Sequence, residues 1–241
     1  MADVCNHYQE LLAGVYSWMM GGFENALTRN EEFFRQNNIV PKGSKKALDL
    51  GCGCGFQSIP LADAGFEVTA IDFNENLLDE LNQFKGLRKI RTIKDDLLNF
   101  EKYIDGKFEL IVCMTDTILH LKSKEKLFEV FHKAYDSLDT KGKMLLTFRD
   151  LTFELRDLDR FIPIKSDDNT KLLCFLEYEE ETVKVHDLLY KKLDNNWVFK
   201  KSFYHKLRLS AECIKTELEK IGFSVFTETK NGLVTIVADK K

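Results

Sequence analysis

The run Ala47-Leu48-Asp49-Leu50 passes directly into Gly51-Cys52-Gly53-Cys54-Gly55, and a helix-forming stretch, residues 57–64, follows at once. Alternate glycines let the backbone turn sharply and let a ligand approach the main chain with no Cβ in the way. The helix that follows adds unpaired N–H groups at its start. A strand–glycine loop–helix unit belongs at the C-terminal edge of an open α/β sheet, so this one feature narrows the fold to a sheet with helices packed on its faces. By itself such a loop also fits a glycine turn that merely packs a helix. The sequence supplies a second sign, because the next strand, Glu67–Asp72, ends on an acid at about the twenty-residue spacing at which a carboxylate accepts from ribose hydroxyls.

The pattern around the loop keeps the same rhythm. Asn74 precedes a helical run to Phe84 and fits an N-cap. Residues 89–94 and the run FELIVCM, residues 108–114, read as strands. Ser123 precedes a helical run to Leu138, and residues 143–148 form another apolar strand. The rhythm changes after Arg149. Residues 172–209 show period-two patterns with no helix between them, and Asp194-Asn195-Asn196 supplies a hairpin turn. Ser210 then caps a helix that Gly222 ends, and two last strands flank Asn231-Gly232, whose tight turn makes the final strand antiparallel to its neighbour. Ahead of the loop, residues 5–37 read as helical, interrupted at Gly21-Gly22. The expected architecture is α/β. It has a Rossmann-like, seven-stranded, mostly parallel sheet with an antiparallel last strand (residues 41–150 and 210–241), an N-terminal helical cap (1–40) and an antiparallel β insertion (151–209).

Composition narrows the function classes. The 35 basic and 39 acidic side chains give a net charge of −4, with none of the basic excess by which a protein meets phosphates, so no nucleic acid is expected as a partner. No apolar run approaches the roughly 20 residues needed to span a bilayer, and the N-terminus has no basic segment leading into an apolar core. The six cysteines then read as reduced thiols of a cytoplasmic protein. Cys52-x-Cys54 has the wrong spacing for a zinc knuckle, and no metal is expected.

Dinucleotide enzymes share the loop-plus-acid arrangement. Three details favour a sulfonium cofactor instead. Asp49 lies two residues before the first glycine, the glycines alternate as G-x-G-x-G, and the third strand ends in Asp95-Asp96-Leu97, where an acid can meet an adenine amine. With these details the sequence resembles the class I, Rossmann-like S-adenosylmethionine-dependent methyltransferases. The matching runs are ALDLGCGCGFQSIPLADAGFEVTAIDFNENLL, KDDLLNF, FELIVCMTDTILHL and KMLLTFRD. The resemblance implies S-adenosyl-L-methionine as the cofactor. It places Gly51 and Gly53, with Asp49 and Cys52 beside them, near the methionine part. It further implies Asp72 on the ribose, Phe73 on the adenine face, Asp96 and Leu97 on the adenine edge (with Asp95 as the alternative acid), and Cys113, Met114 and Thr115 lining the pocket. Tyr16 and Trp18, together with Tyr8, would close the site from the N-terminal helix.

The segment from Thr115 to Leu121 resembles the G-N-S-x-x-H-L segment of glycine and sarcosine N-methyltransferases, with Thr115 and Asp116 in place of glycine and asparagine. The catalytic candidates are His120, Asp116 and Arg149. His120 either positions a substrate or is a hydrogen-bonded structural histidine. Asp116 either holds an ammonium group or caps the turn. Arg149 either meets a substrate carboxylate through a bidentate fork or pairs with Asp150, Asp157 or Asp159. The resulting expectation is methyl transfer to a nitrogen, or after it an oxygen, of a small-molecule substrate, with a homodimer left open. The alternatives are an NAD-type oxidoreductase and a catalytically silent cofactor-binding protein. A base amino-methyltransferase is disfavoured because no N-P-P-Y type motif is present.

Overall fold

The structure, a computed structural model, describes residues 4–241; residues 1–3 of the expected N-terminal cap lie outside it. The chain begins with α1 (Val4–His7), which runs through a π-helical turn at Tyr8–Leu12 and a tight turn at Ala13–Val15 into α2 (Tyr16–Met19). Gly22 sits at φ +98°, a conformation that side chains resist, and it separates this irregular helix from α3 (Phe23–Gln36). Strands and helices then alternate: β1 (Lys46–Leu50), α4 (Ser58–Asp63), β2 (Glu67–Asp72), α5 (Glu75–Phe84), β3 (Ile90–Lys94), β4 (Phe108–Cys113), α6 (Lys124–Ser137) and β5 (Leu138–Arg149). After an excursion come α7 (Ala211–Ile221), β10 (Phe223–Lys230) and β11 (Leu233–Lys240).

The main sheet has seven strands in the order β10-β11-β5-β4-β1-β2-β3. β1 through β5 are parallel, whereas β11 runs antiparallel to both β5 and β10, as the Asn231-Gly232 turn predicted. Two apolar layers cover its faces. One packs Leu127, Val130, Phe131 and Ala134 of α6 with Ile214 and Leu218 of α7, and the other packs Leu77, Leu78 and Leu81 of α5 with Ile59, Leu61 and Phe34. Burial of both faces is why the central strands read as nearly unbroken apolar runs. The side chains of Asn74, Ser123 and Ser210 each accept a backbone N–H in the first turn of the helix that follows.

The excursion between β5 and α7 is a separate four-stranded antiparallel sheet: β6 (Phe161–Ser166), β7 (Thr170–Tyr178), β8 (Thr182–Leu193) and β9 (Asn196–Leu207). The sequence pattern located the last three but not β6. That strand carries Pro163 and leaves most of its side chains exposed, so it lacks an alternating signal; it is tolerated because it lies at the sheet edge. One face of this sheet packs Leu172, Leu176, Val183, Val185 and Tyr204 against Leu11, Leu12 and Val15 of the N-terminal segment, in a third apolar cluster. The N-terminal segment is thereby held between the insertion and the C-terminal edge of the main sheet.

Candidate functional site

Gly51, Gly53 and Gly55 all adopt positive φ, +73°, +52° and +87°. A Cβ at Gly51 would lie 2.3 Å from Cγ2 of Thr117, and one at Gly55 would lie 2.2 Å from Cδ1 of Leu81. Conformation therefore favours glycine at all three positions, and space also requires it at Gly51 and Gly55. The loop is tied to β2: the N–H groups of Gly51 and Cys52 donate to the carbonyl of Ile71 at 2.8 and 3.0 Å. Asp72, at the end of β2, accepts from the N–H of Gly53 at 2.9 Å and from that of Asn74 at 2.8 Å. Burial pushes its carboxyl above the usual range, and these N–H bonds pull it the other way. The donor set therefore fits the adenosine part of S-adenosylmethionine: an acid at the tip of β2, a glycine turn with no Cβ above it, and Phe73 next to the acid.

Asp49 is fully buried and accepts from Ser58 Oγ at 2.6 Å. Burial raises its carboxyl to about 7, against the pull of Ser58. Cys52 and Cys54 are buried in the loop, with Cys54 Sγ 3.6 Å from Ser17 Oγ. At the end of β3 the two acids divide their duties. Asp95 is engaged by Tyr103, Asn99 and its neighbour's N–H, whereas the Asp96 carboxylate accepts the N–H of Leu98 and remains exposed beside Leu97.

The N-terminal segment brings aromatic rings over this edge. Tyr16 stacks on Phe56 at 6.1 Å and approaches Gly53. Tyr8 lies at the centre, 5.9 Å from Phe73, 6.1 Å from Tyr16 and 5.8 Å from His120. Trp18 turns elsewhere: its indole N–H donates to Asp167 at 2.5 Å, and Lys165 lies over its ring.

Beyond β4, Cys113 and Met114 are buried, and both Thr115 and Asp116 adopt left-handed backbone, φ +58° and +68°. A β-branched threonine resists that region, which glycine and asparagine tolerate, so the loop is strained at this point. It is held by Thr147, whose hydroxyl accepts from Thr115 N–H at 2.9 Å. Asp116 accepts from the N–H of Arg149 at 2.7 Å, from its Nη1 at 2.9 Å and from Lys206 Nζ at 2.7 Å. Burial would raise this carboxyl, but Lys206 and Arg149 outweigh it and hold it well below the usual carboxylate range. The partner of Arg149 is thus Asp116 rather than Asp150, Asp157 or Asp159: the turn after β4 brings the Asp116 carboxylate back onto the end of β5. The ammonium that Asp116 holds is the chain's own Lys206. His120 packs at 5.2 Å on Tyr204, and its Nδ1 is buried with no hydrogen-bond partner among the described residues. Burial and Lys206 push its imidazole down to about 3.

Asp187 and Lys206 belong to this region and escaped the reading of the sequence. A signal for Asp187 was present: in β8 it shares a period-two face with Val183, Val185 and Leu189, where a charged side chain needs a partner.

A family profile described as a methyltransferase domain matches residues 47–142. A putative methyltransferase of Bacillus subtilis is 33% identical over 125 residues, covering 47% of this chain and 50% of that one. A glycine/sarcosine N-methyltransferase of Aphanothece halophytica is 28% identical over 148 residues, covering 60% and 56%. The chain thus spans about half the length of the curated relatives it matches. Among solved structures, an S-adenosylmethionine-dependent methyltransferase from Clostridium acetobutylicum superimposes with a TM-score of 0.72 at 17% identity, over 90% of this chain and 92% of that one. An amino pentose methyltransferase from Micromonospora echinaspora gives 0.70 at 13%, over 91% of each. Residues 47–142 thus resemble a methyltransferase domain, and the glycine loop joined to Asp72 and the antiparallel β11 belong to the Rossmann-like fold of the solved S-adenosylmethionine-dependent methyltransferases.

Proposed function

We propose that this chain transfers a methyl group to a nitrogen, or as the second choice an oxygen, of a small molecule. The observation that carries the reading is the placement of Asp72: its carboxylate, at the tip of β2, links the glycine loop to the start of α5. S-adenosylmethionine supplies a methyl carbon already activated by positive sulfur, so the protein's task is alignment and exclusion of water. In this reading Asp49, Gly51, Cys52, Gly53 and Asp72 hold the methionine and ribose parts. Phe73, Asp96 and Leu97 hold the adenine, Cys113, Met114 and Thr115 line the floor, and Tyr16 and Trp18 belong to the covering segment. The N-terminal cap (1–40) and the insertion (151–209) form the acceptor side. Nitrogen is favoured by the relatives that bear glycine/sarcosine and phosphoethanolamine N-methyltransferase names. The net charge of −4 supports a metabolite over a nucleic acid as the partner, in the cytoplasm, with a homodimer as the assembly to test.

Asp72→Ala removes the acceptor for ribose hydroxyls and for two backbone N–H groups. Binding of S-adenosylhomocysteine, measured by calorimetry, should weaken about 10- to 100-fold, the loss expected for hydrogen bonds to a charged group. Unchanged affinity removes this assignment. Wild-type protein stabilised by NADH but not by S-adenosylhomocysteine points instead to an oxidoreductase.

A further inference from the structure

A buried pair outside the cofactor site joins the N-terminal segment to the insertion. His7 is 1% exposed, and its Nε2 lies 2.9 Å from Asp187 Oδ2. Asp187 is itself buried among apolar neighbours of β8. A carboxylate at Nε2 fixes the proton of a neutral imidazole there and leaves the lone pair on Nδ1. That Nδ1 is buried and has no hydrogen-bond partner among the described residues. Tyr204 packs against His7 at 4.4 Å and, on its other side, against His120 at 5.2 Å, and His120 Nδ1 is likewise buried and unpartnered. Two bare imidazole nitrogens thus flank one tyrosine ring, next to Tyr8, which reaches Phe73. Buried polar atoms without partners are rare and call for a ligand that satisfies them.

The two histidines are not equivalent. His120 is held neutral by burial and by Lys206, against the pull of Asp116, which makes it a poor proton acceptor. His7 has a buried carboxylate at Nε2, the arrangement by which an acid orients a histidine base.

We propose that the His7–Asp187 pair is the proton-accepting dyad of the methyl-acceptor site, and that the acceptor is a primary or secondary amine whose N–H is donated to His7 Nδ1. The proposal rests on the methyltransferase reading above. A C–N bond forms on the neutral amine as the methyl C–S bond breaks, and the sulfur is left as a neutral thioether. The proton lost from the nitrogen passes to Nδ1, and the resulting imidazolium is paired with Asp187 until solvent takes the proton. His7 is the catalytic residue and Asp187 a positioning residue. A tertiary amine has no proton to give and gains nothing from the dyad.

The test uses the whole chain, wild type and the variants His7→Gln, Asp187→Asn and His120→Gln. The probes are S-adenosylhomocysteine for binding and glycine, sarcosine and N,N-dimethylglycine for turnover. In protein labelled with nitrogen-15 histidine, His7 should show a single Nε2–H tautomer with unprotonated Nδ1, and Asp187→Asn should abolish that preference. His7→Gln should lower kcat on the primary and secondary amines about 10²- to 10⁴-fold with acceptor KM little changed, the range for loss of a general base. Asp187→Asn should lose less, and S-adenosylhomocysteine affinity should hold in both. A protonated Nδ1 at His7 overturns the proposal whether or not any amine turns over. So does unchanged kcat with only a lower melting temperature, or a parallel loss of S-adenosylhomocysteine affinity. Wild-type protein that neither binds S-adenosylhomocysteine nor turns over an amine defeats the parent reading instead, and the tautomer measurement then decides the dyad on its own.

Discussion

Asp116→Asn is expected to lower folding stability by about 3–5 kcal/mol, the cost of leaving a buried charge without its partner. Asparagine tolerates the left-handed backbone at this position and keeps an oxygen for the N–H of Arg149, so the substitution isolates charge from conformation. The loss falls mainly on Lys206, whose side chain is 13% exposed, since that of Arg149 is 65% exposed and water largely screens it. The pH dependence has a definite sign. Asp116 titrates lower in the folded chain than in the unfolded one, so its stabilisation is complete above the unfolded value of about 4 and is lost as pH falls below it. Urea denaturation at pH 7 and at stepwise lower pH should show the gap between wild type and variant shrinking below about pH 4. Asp49 contributes with the opposite sign: its folded value is raised to about 7, so its ionisation weakens the fold as pH rises from about 4 through 7. Both proteins carry Asp49, and its contribution cancels in the difference. A gap that does not change with pH would mean that the loss comes from something other than the charge.

Gly55→Ala is the second large effect. The new Cβ meets Leu81 Cδ1 at 2.2 Å, and Leu81 is fully buried in the layer under α5, where it has no free volume to enter. Overpacking adds to the strain of a side chain at φ +87°, for a total of about 2–5 kcal/mol. In a chain of this size that lowers the melting temperature by on the order of 10 °C. Gly53→Ala is the matched control: it also sits at positive φ, but its Cβ would find nothing nearer than 3.9 Å. The control should lose roughly 1 kcal/mol of stability, the strain alone. Equal melting temperatures for the two variants would show that the contact with Leu81 does not restrict the loop.

The sheet was legible because its determinants are local. ALDL, FELIVC and the other central strands are apolar on both faces, the loop glycines are where positive φ is needed, and Asn74, Ser123 and Ser210 cap the helices they precede. Asp72 could be picked out because the strand that carries it ends a fixed distance after the loop. The π turn at Tyr8–Leu12 has no such signature, and the edge strand with Pro163 has no alternation to detect. The buried charged pairs were hidden for a different reason. His7 and Asp187 are 180 positions apart and Asp116 and Lys206 are 90 apart, so no local spacing links the members of either pair, although Asp187 alone stands out on the apolar face of β8. The sequence alone therefore determined the scaffold and the glycine loop with its acid, where side-chain periodicity and glycine conformation act within a few residues. Only the tertiary structure decided that Arg149 is bound to Asp116, that Trp18 faces the insertion, and that His7 rather than His120 has a carboxylate beside it. Such pairings depend on which distant strands share a buried face, and the energy that selects them exists only once water has been excluded from between them.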